Sequence, residues 1–258
     1  AIRITRKNNM RKSLFIKPLL LASLTAAIFT SCVNDAYLAE PTPVPNQSFV
    51  EEFDTATAAY GRGWKFINRS EPVGITDFSN FLDVATVPFE AYSSKAKKNG
   101  FLWTDYLSTS ADAGIISSFA VSPQVYMKNG DKITFFTRAE IYDDGAGDST
   151  DYANRLQVLL NTKNTGLDCG KGTNSGDFDQ AILDINPFLK PFLLSEFVSG
   201  VAQQKGAYPH RWTKYTATVY GLNKPTWGRF AFRYYIEGGG SNGLGTSIGI
   251  DSVAYIGQ

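Results

Sequence analysis

The chain has 258 residues, 43% hydrophobic and 14% aromatic, which is enough for one sizeable core. Its 25 basic and 24 acidic residues nearly balance, and no basic stripe that would track phosphates is present, which argues against nucleic acid as a partner. With two cysteines and one histidine, a zinc site built from several His and Cys ligands is excluded by count.

Residues 1–9 precede Met10 and read as translated upstream sequence, because an export signal starts at that methionine. Residues 10–31 have a basic start (Arg11, Lys12, Lys17) and an apolar run over 18–29. That run is about half of the roughly 20 residues a membrane-spanning helix needs, so a cleaved signal is expected rather than a permanent anchor. The small residues just before Cys32, in FTSC, resemble a bacterial lipobox, with Phe29 where leucine is usual. The resemblance implies cleavage before Cys32, a lipid on its thiol and a place at the outer membrane; the alternative is an ordinary secretory signal with an incidental cysteine. Loss of residues 1–31 removes six basic residues and no acid, which lowers the formal charge from +1 to −5. With Cys32 lipidated, Cys169 has no partner within the chain and no disulfide framework is expected. Pro41, Pro43 and Pro45 make residues 32–47 a lipidated cysteine and tether rather than a strand or helix. Asp35 and Glu40 resemble the acidic signals that send some lipoproteins to the cell surface.

The domain is expected over 48–258. It opens on SFVEEFD, with Trp64 beyond a Gly-Arg-Gly turn, and continues through a weakly patterned stretch, 75–113, read as short strands and large loops. Residues 114–126 lead to the turn Lys128-Asn129-Gly130-Asp131, and strands follow at 132–138 and 155–161 on either side of an acidic loop. Apolar spacing over 181–198 is close to helical, but Pro187 and Pro191 limit it to short helical turns. Residues 212–220 alternate again. Phe230, Phe232, Tyr234 and Ile236 then define one face of a half-buried strand, with Arg229, Arg233 and Tyr235 between them. Beyond a glycine-rich connection, Ile248, Ile250, Ala254 and Ile256 share a face and Asp251 points the other way. Seven or more strands without a long helical pattern predict an all-β sandwich of two antiparallel sheets.

The order SFVEEFD, ISSFAVSPQVYMKNGDKITFFTRA, RLQVLLN, WTKYTATV, GRFAFRYY and IGIDSVAYI resembles the choice-of-anchor J, or cleaved-adhesin, domains of bacterial surface proteins. The resemblance implies a jelly-roll β-sandwich, surface display, frequent structural calcium, and adhesion or binding of carbohydrate or protein. The sequence departs from the family at Phe119, at the single closing acid Asp251 and in a long insert over 167–209.

Calcium takes six to eight oxygen ligands, so a site needs acids from distant segments. By analogy with the family, Glu52 and Asp54 are expected to meet Asp251; the alternative is that these acids are solvated or cap turns. The acids Asp143, Asp144, Asp148 and Asp151 form a second candidate, although their spacing is not that of an EF-hand and a solvated loop is the simpler reading. His210, between Pro209 and Arg211 and beside no nucleophile motif, reads as a surface histidine. Asp184 stands by itself. Exposed aromatics that stack on sugar rings are sought at Trp103, Tyr106, Tyr208 and Trp212, while Trp64 and Trp227 read as core. These readings describe a non-catalytic, lipid-anchored binding module for extracellular carbohydrate or host protein; the alternatives are a glycan-degrading hydrolase and a structural component of a surface assembly.

Overall fold

The computed structural model describes residues 45–79, 88–93, 100–143, 149–191 and 206–258, and Pro45–Gln258 form one compact unit. Residues 10–31, expected to form an export signal, Cys32 and most of the expected tether lie outside the described residues.

Two antiparallel sheets face each other as a jelly-roll β-sandwich. One contains β1 (Phe49–Glu51), β3 (Leu102–Asp105), β6 (Lys132–Ala139), β11 (Thr213–Thr218) and β13 (Ser247–Ile256). In it β13 lies between β6 and the pair β1 and β3, with Phe49 opposite Tyr255 and Trp103 opposite Gly249. The other sheet runs in the order β10 (Gln180–Ile185), β9 (Leu156–Asn161), β12 (Thr226–Gly239), β4 (Gly114–Val121) and β2 (Lys65–Asn68). The short strand β5 (Val125–Met127) pairs with the start of β12. Ser122-Pro123 separates β4 from β5 because proline has no N–H to continue a ladder. A two-stranded ribbon, β7 (Tyr142–Asp143) and β8 (Ser149–Thr150), stands apart. A single helical turn and a half, α1 (Ala56–Gly61), is capped by Thr55, whose hydroxyl accepts from the Ala58 N–H.

Aromatic rings fill the space between the sheets. Phe49 stacks with Phe230 at 6.4 Å and with Tyr255 at 6.1 Å, and Trp64 meets Phe53 edge-on at 5.0 Å and Phe230 at 5.8 Å. Each such buried side chain contributes about 1.5 to 3 kcal/mol, so this cluster alone locks the first strand against the last. Trp64 is core, as its position after the turn suggests.

Four expectations are corrected. The face of β13 does not keep its parity: a bulge between Asp251 and Ala254, with Ser252 at φ +50°, adds a residue. Ile248 and Ile250 therefore share the core with Val253 and Tyr255, and Ile256 turns outward. Residues 180–185 form an edge strand against β9 rather than helical turns; Asp184, the one acid of that strand, is gripped by Arg155 with bonds of 2.9 and 2.7 Å, and Gln157 adds a third. Trp227 is 46% exposed and rests on Tyr126 at the start of β12 instead of entering the core. Finally, β12 is buried on both faces, not one. Its second face, with Ala231, lies under a smaller core of Phe119, Cys169 and Phe178 supplied partly by the long insert.

Arg233 holds that insert in place. Its guanidinium donates to the carbonyls of Gly172 (2.6 Å) and Thr173 (3.2 Å) and to the Ser117 hydroxyl (3.0 Å), and lies 3.9 Å from the Tyr235 ring centre. Burial brings its pKa down to about 10. Arg233→Ala would strand these acceptors, and a loss of about 3 kcal/mol in urea unfolding is expected. Arg233→Lys should recover less than half of it, because an ammonium cannot reproduce the planar fork.

Candidate functional site

The interior strands β12 and β13 follow one another in the chain, so residues 240–246 must carry the backbone from one sheet to the other. The crossing is tight. Gly240 has φ +139°, and a Cβ there would lie 2.2 Å from the Ala111 carbonyl oxygen; at Gly245, φ +91°, it would lie 2.7 Å from the Tyr234 hydroxyl. Buried Asn154 clasps the crossing: its side-chain amide donates to Thr246 Oγ1 (2.9 Å), and its side-chain oxygen accepts from the Thr246 N–H (3.1 Å) and the Tyr234 hydroxyl (2.8 Å). The Gly245 N–H donates to the Tyr152 carbonyl at 2.8 Å.

Above this connection lies a cleft of 230 Å³. Four aromatic residues line it: Trp103 from β3, Tyr106 from the turn that follows, and Tyr142 and Tyr152 from either side of the acidic loop. Tyr142 and Tyr152 meet edge-on at 6.0 Å and remain 50% and 39% exposed. The indole N–H of Trp103 is buried and has no hydrogen-bond partner among the described residues. Asp105, Glu140 and the hydroxyl residues Ser241, Thr246 and Ser247 complete the lining. Asp105 Oδ1 accepts from the Thr76 hydroxyl and the Leu107 N–H, and Glu140 Oε2 accepts from the Ser247 hydroxyl at 2.7 Å. Among the described residues the second oxygen of each acid takes no hydrogen bond. Burial raises the Asp105 pKa, the Thr76 hydrogen bond opposes this, and the nearby Glu140 charge adds to it.

Of the four aromatics singled out as ligand-binding, the structure brings Trp103 and Tyr106 together here. Tyr208 is fully buried, its hydroxyl 2.6 Å from Thr137 Oγ1, and belongs to the core. The same segment buries His210, which sits 3.3 Å from the Asp151 carboxylate rather than on the surface. The Ala139 N–H donates to the Pro209 carbonyl at 2.7 Å, which draws both residues in. Trp212 packs edge-on against Phe89 and Phe101, and its indole N–H donates to the Glu90 carbonyl at 2.9 Å, so its role is structural. Tyr142, Tyr152, Asp105 and Glu140 escape sequence reasoning; two tyrosines bracketing an acidic loop were the available signal. Asp144 and Asp148 of that loop lie outside the described residues.

The domain's first and last strands meet as expected, since β1 pairs with β13. Ser252 joins two of the acids expected to hold calcium: its hydroxyl donates to Glu52 Oε1 at 3.2 Å and its N–H to Asp251 Oδ1 at 2.6 Å. Asp54 is exposed. Glu52 Oε2 is buried and has no partner among the described residues, as a cation ligand would. Asp251 does not fit that role. Its two oxygens accept from the Tyr92 and Ser93 N–H groups, the Ser93 hydroxyl and Ser252 N–H, which fills its acceptor positions. Among the described residues no three acidic, His or Cys side chains converge as a metal group. Asp251 instead pins residues 92–93, where Tyr92 stacks on Phe136.

No family model and no curated protein matches the chain. Among solved structures it is similar to the K1 and K3 cleaved adhesin domains of Lys-gingipain from Porphyromonas gingivalis W83. The identities are 14% and 13% and the TM-scores 0.43 and 0.48, over 82% and 81% of this chain and 98% of each domain. A family 11 carbohydrate-binding module from Clostridium thermocellum is similar at 12% identity and a TM-score of 0.31, over 84% of this chain and 91% of that one. At these identities the likeness concerns fold, and the reading of the site rests on its own side chains.

Burial pushes the Asp251 carboxyl up to about 6, against the four donors that favour its charge. The unfolded value is about 3.9, so the folded chain holds this proton more tightly, and the stability it contributes is full below about pH 4 and lost as pH rises through about 6. In urea unfolding, wild type should gain about 2 kcal/mol over Asp251→Asn between pH 7.5 and about pH 4.5. Equal midpoints with calcium and with chelator are expected; a calcium-dependent rise lost in Asp251→Ala would make Asp251 a ligand.

Proposed function

We propose that the protein is a non-catalytic binding module that holds carbohydrate in the cleft above the β12–β13 crossing, displayed at the bacterial surface through a lipid on Cys32. The observation that carries this reading is the cleft's lining. Aromatic faces stack on the apolar faces of sugar rings, while acids and hydroxyls bond the ring hydroxyls. Both kinds of group converge on one concave surface, and the acids present unused acceptor oxygens. The tether over 32–47 supports display because it spaces the domain from its anchor.

One second reading has an observation of its own. Glycoside hydrolysis needs two carboxylates about the scissile bond, and Asp105 and Glu140 line the same cleft. Product analysis separates the two: intact glycan after prolonged incubation supports a binding module, whereas cleavage lost in Asp105→Asn supports a hydrolase.

A glycan array followed by calorimetry tests the main reading. Trp103→Ala and Tyr152→Ala should each weaken the best ligand about tenfold, equivalent to about 1.4 kcal/mol. Trp227→Ala should leave affinity unchanged, since Trp227 lies at the other end of β12, roughly 40 Å along the strand from the cleft. Absence of any glycan ligand would leave a protein ligand or a role in surface assembly in its place.

A further inference from the structure

The charges of the cleft are one-sided. Asp105 and Glu140 line it, and among the described residues no Lys or Arg does. At its rim Ser241 donates to a third carboxylate, Asp112, at 2.9 Å. Arg138, near the end of β6, lies over the Phe89 ring at 4.3 Å and attracts Glu140, but it is not part of the lining. A neutral sugar placed here would cover both carboxylates, with Glu140 offset only in part by Arg138 and Asp105 pushed further by Glu140, and desolvating such charge is costly.

We propose that the cleft selects a protonated amine, and that its ligand class is a glycan bearing an unacetylated amino sugar; this rests on the reading of the cleft as a carbohydrate site. An ammonium group brings three donors, and the second oxygens of Asp105 and Glu140 are unused acceptors among the described residues. The surrounding aromatic faces add attraction for a cation. Binding a cation also relieves the repulsion between the two acids, an interaction visible in the way Glu140 acts on Asp105. The lining favours a ring over a lysine side chain, because four aromatic residues offer flat faces on which a sugar ring stacks. Acidic sugars should be rejected by the same charges.

The test compares three β-1,4-linked trisaccharides that differ only at the second ring carbon: the glucosamine trimer, the N-acetylglucosamine trimer and cellotriose. Calorimetry on the protein near pH 6.5 should find the glucosamine trimer bound at least tenfold more tightly than either, with affinity falling as salt rises. Glu140→Gln should erase that preference while leaving weak binding of cellotriose; should this variant fail to fold, Asp112→Asn, at the exposed rim, should reduce the preference and its salt dependence. Equal binding of the three sugars would overturn the amine proposal and leave the carbohydrate reading standing. No binding of any would overturn both, and a lysine-rich peptide bound in preference to all three would overturn the amino-sugar assignment.

Discussion

The crossing between β12 and β13 is the constraint on which the rest of the structure depends. These strands sit inside different sheets, yet only residues 240–246 connect them, so the sandwich closes at that end through a short turn. A short closure is cheap in chain entropy, but it forces backbone into close contact with residues 111–112 and the Tyr234 hydroxyl. Glycine supplies the required conformations. Asn154 then fixes the turn, and through its carbonyl, which accepts from Asn186 at 2.9 Å, ties it to the edge strand β10. The candidate site is a consequence of this geometry: where the chain passes from sheet to sheet, β3, the β7–β8 ribbon and the end of β6 are brought around it.

The opposite problem, holding the ends of the domain, is met by packing. Phe49 and Tyr255 on one sheet stack with Phe230 on the other, so the first and last strands share one aromatic cluster. An ion pair between buried Glu51 and half-exposed Arg62 reinforces it, with Arg62 Nε donating to Glu51 Oε2 at 2.6 Å. Asp131 performs a similar office at the turn after β5, accepting from the Lys128 and Gln258 N–H groups and from the Tyr255 hydroxyl. Acids that the sequence offers as metal ligands or surface charge are thus spent, in several places, on fixing backbone.

Much of the fold was legible because period-two alternation is a property of single strands, and β6, β9, β11 and the first part of β13 display it plainly. What failed depended on neighbours distant in sequence. The bulge at Ser252 shifts parity in mid-strand, and no residue type there announces a positive φ. Burial of β12's second face follows from an insert that returns over it, so Arg233 looked exposed until its carbonyl partners at 172 and 173 were in place. At the candidate site, Trp103 and Tyr106, sought for their chemistry, line the cleft, while Tyr208 and Trp212, equally aromatic, are core and packing. Composition cannot make that distinction; it requires knowing which loop folds inward. Asp105 and Glu140 were invisible for the same reason, being single acids that meet only through the topology.

The measurement that tests the account most directly is backbone chemical-shift mapping of the protein with an amino-sugar oligosaccharide. Perturbations confined to the crossing, residues 240–247, and to Trp103, Tyr106, Tyr142 and Tyr152 are expected, with Trp212 and the far end of β12 unmoved. Perturbations centred instead on the hollow beside Phe188 and Tyr215, with the crossing silent, would contradict it.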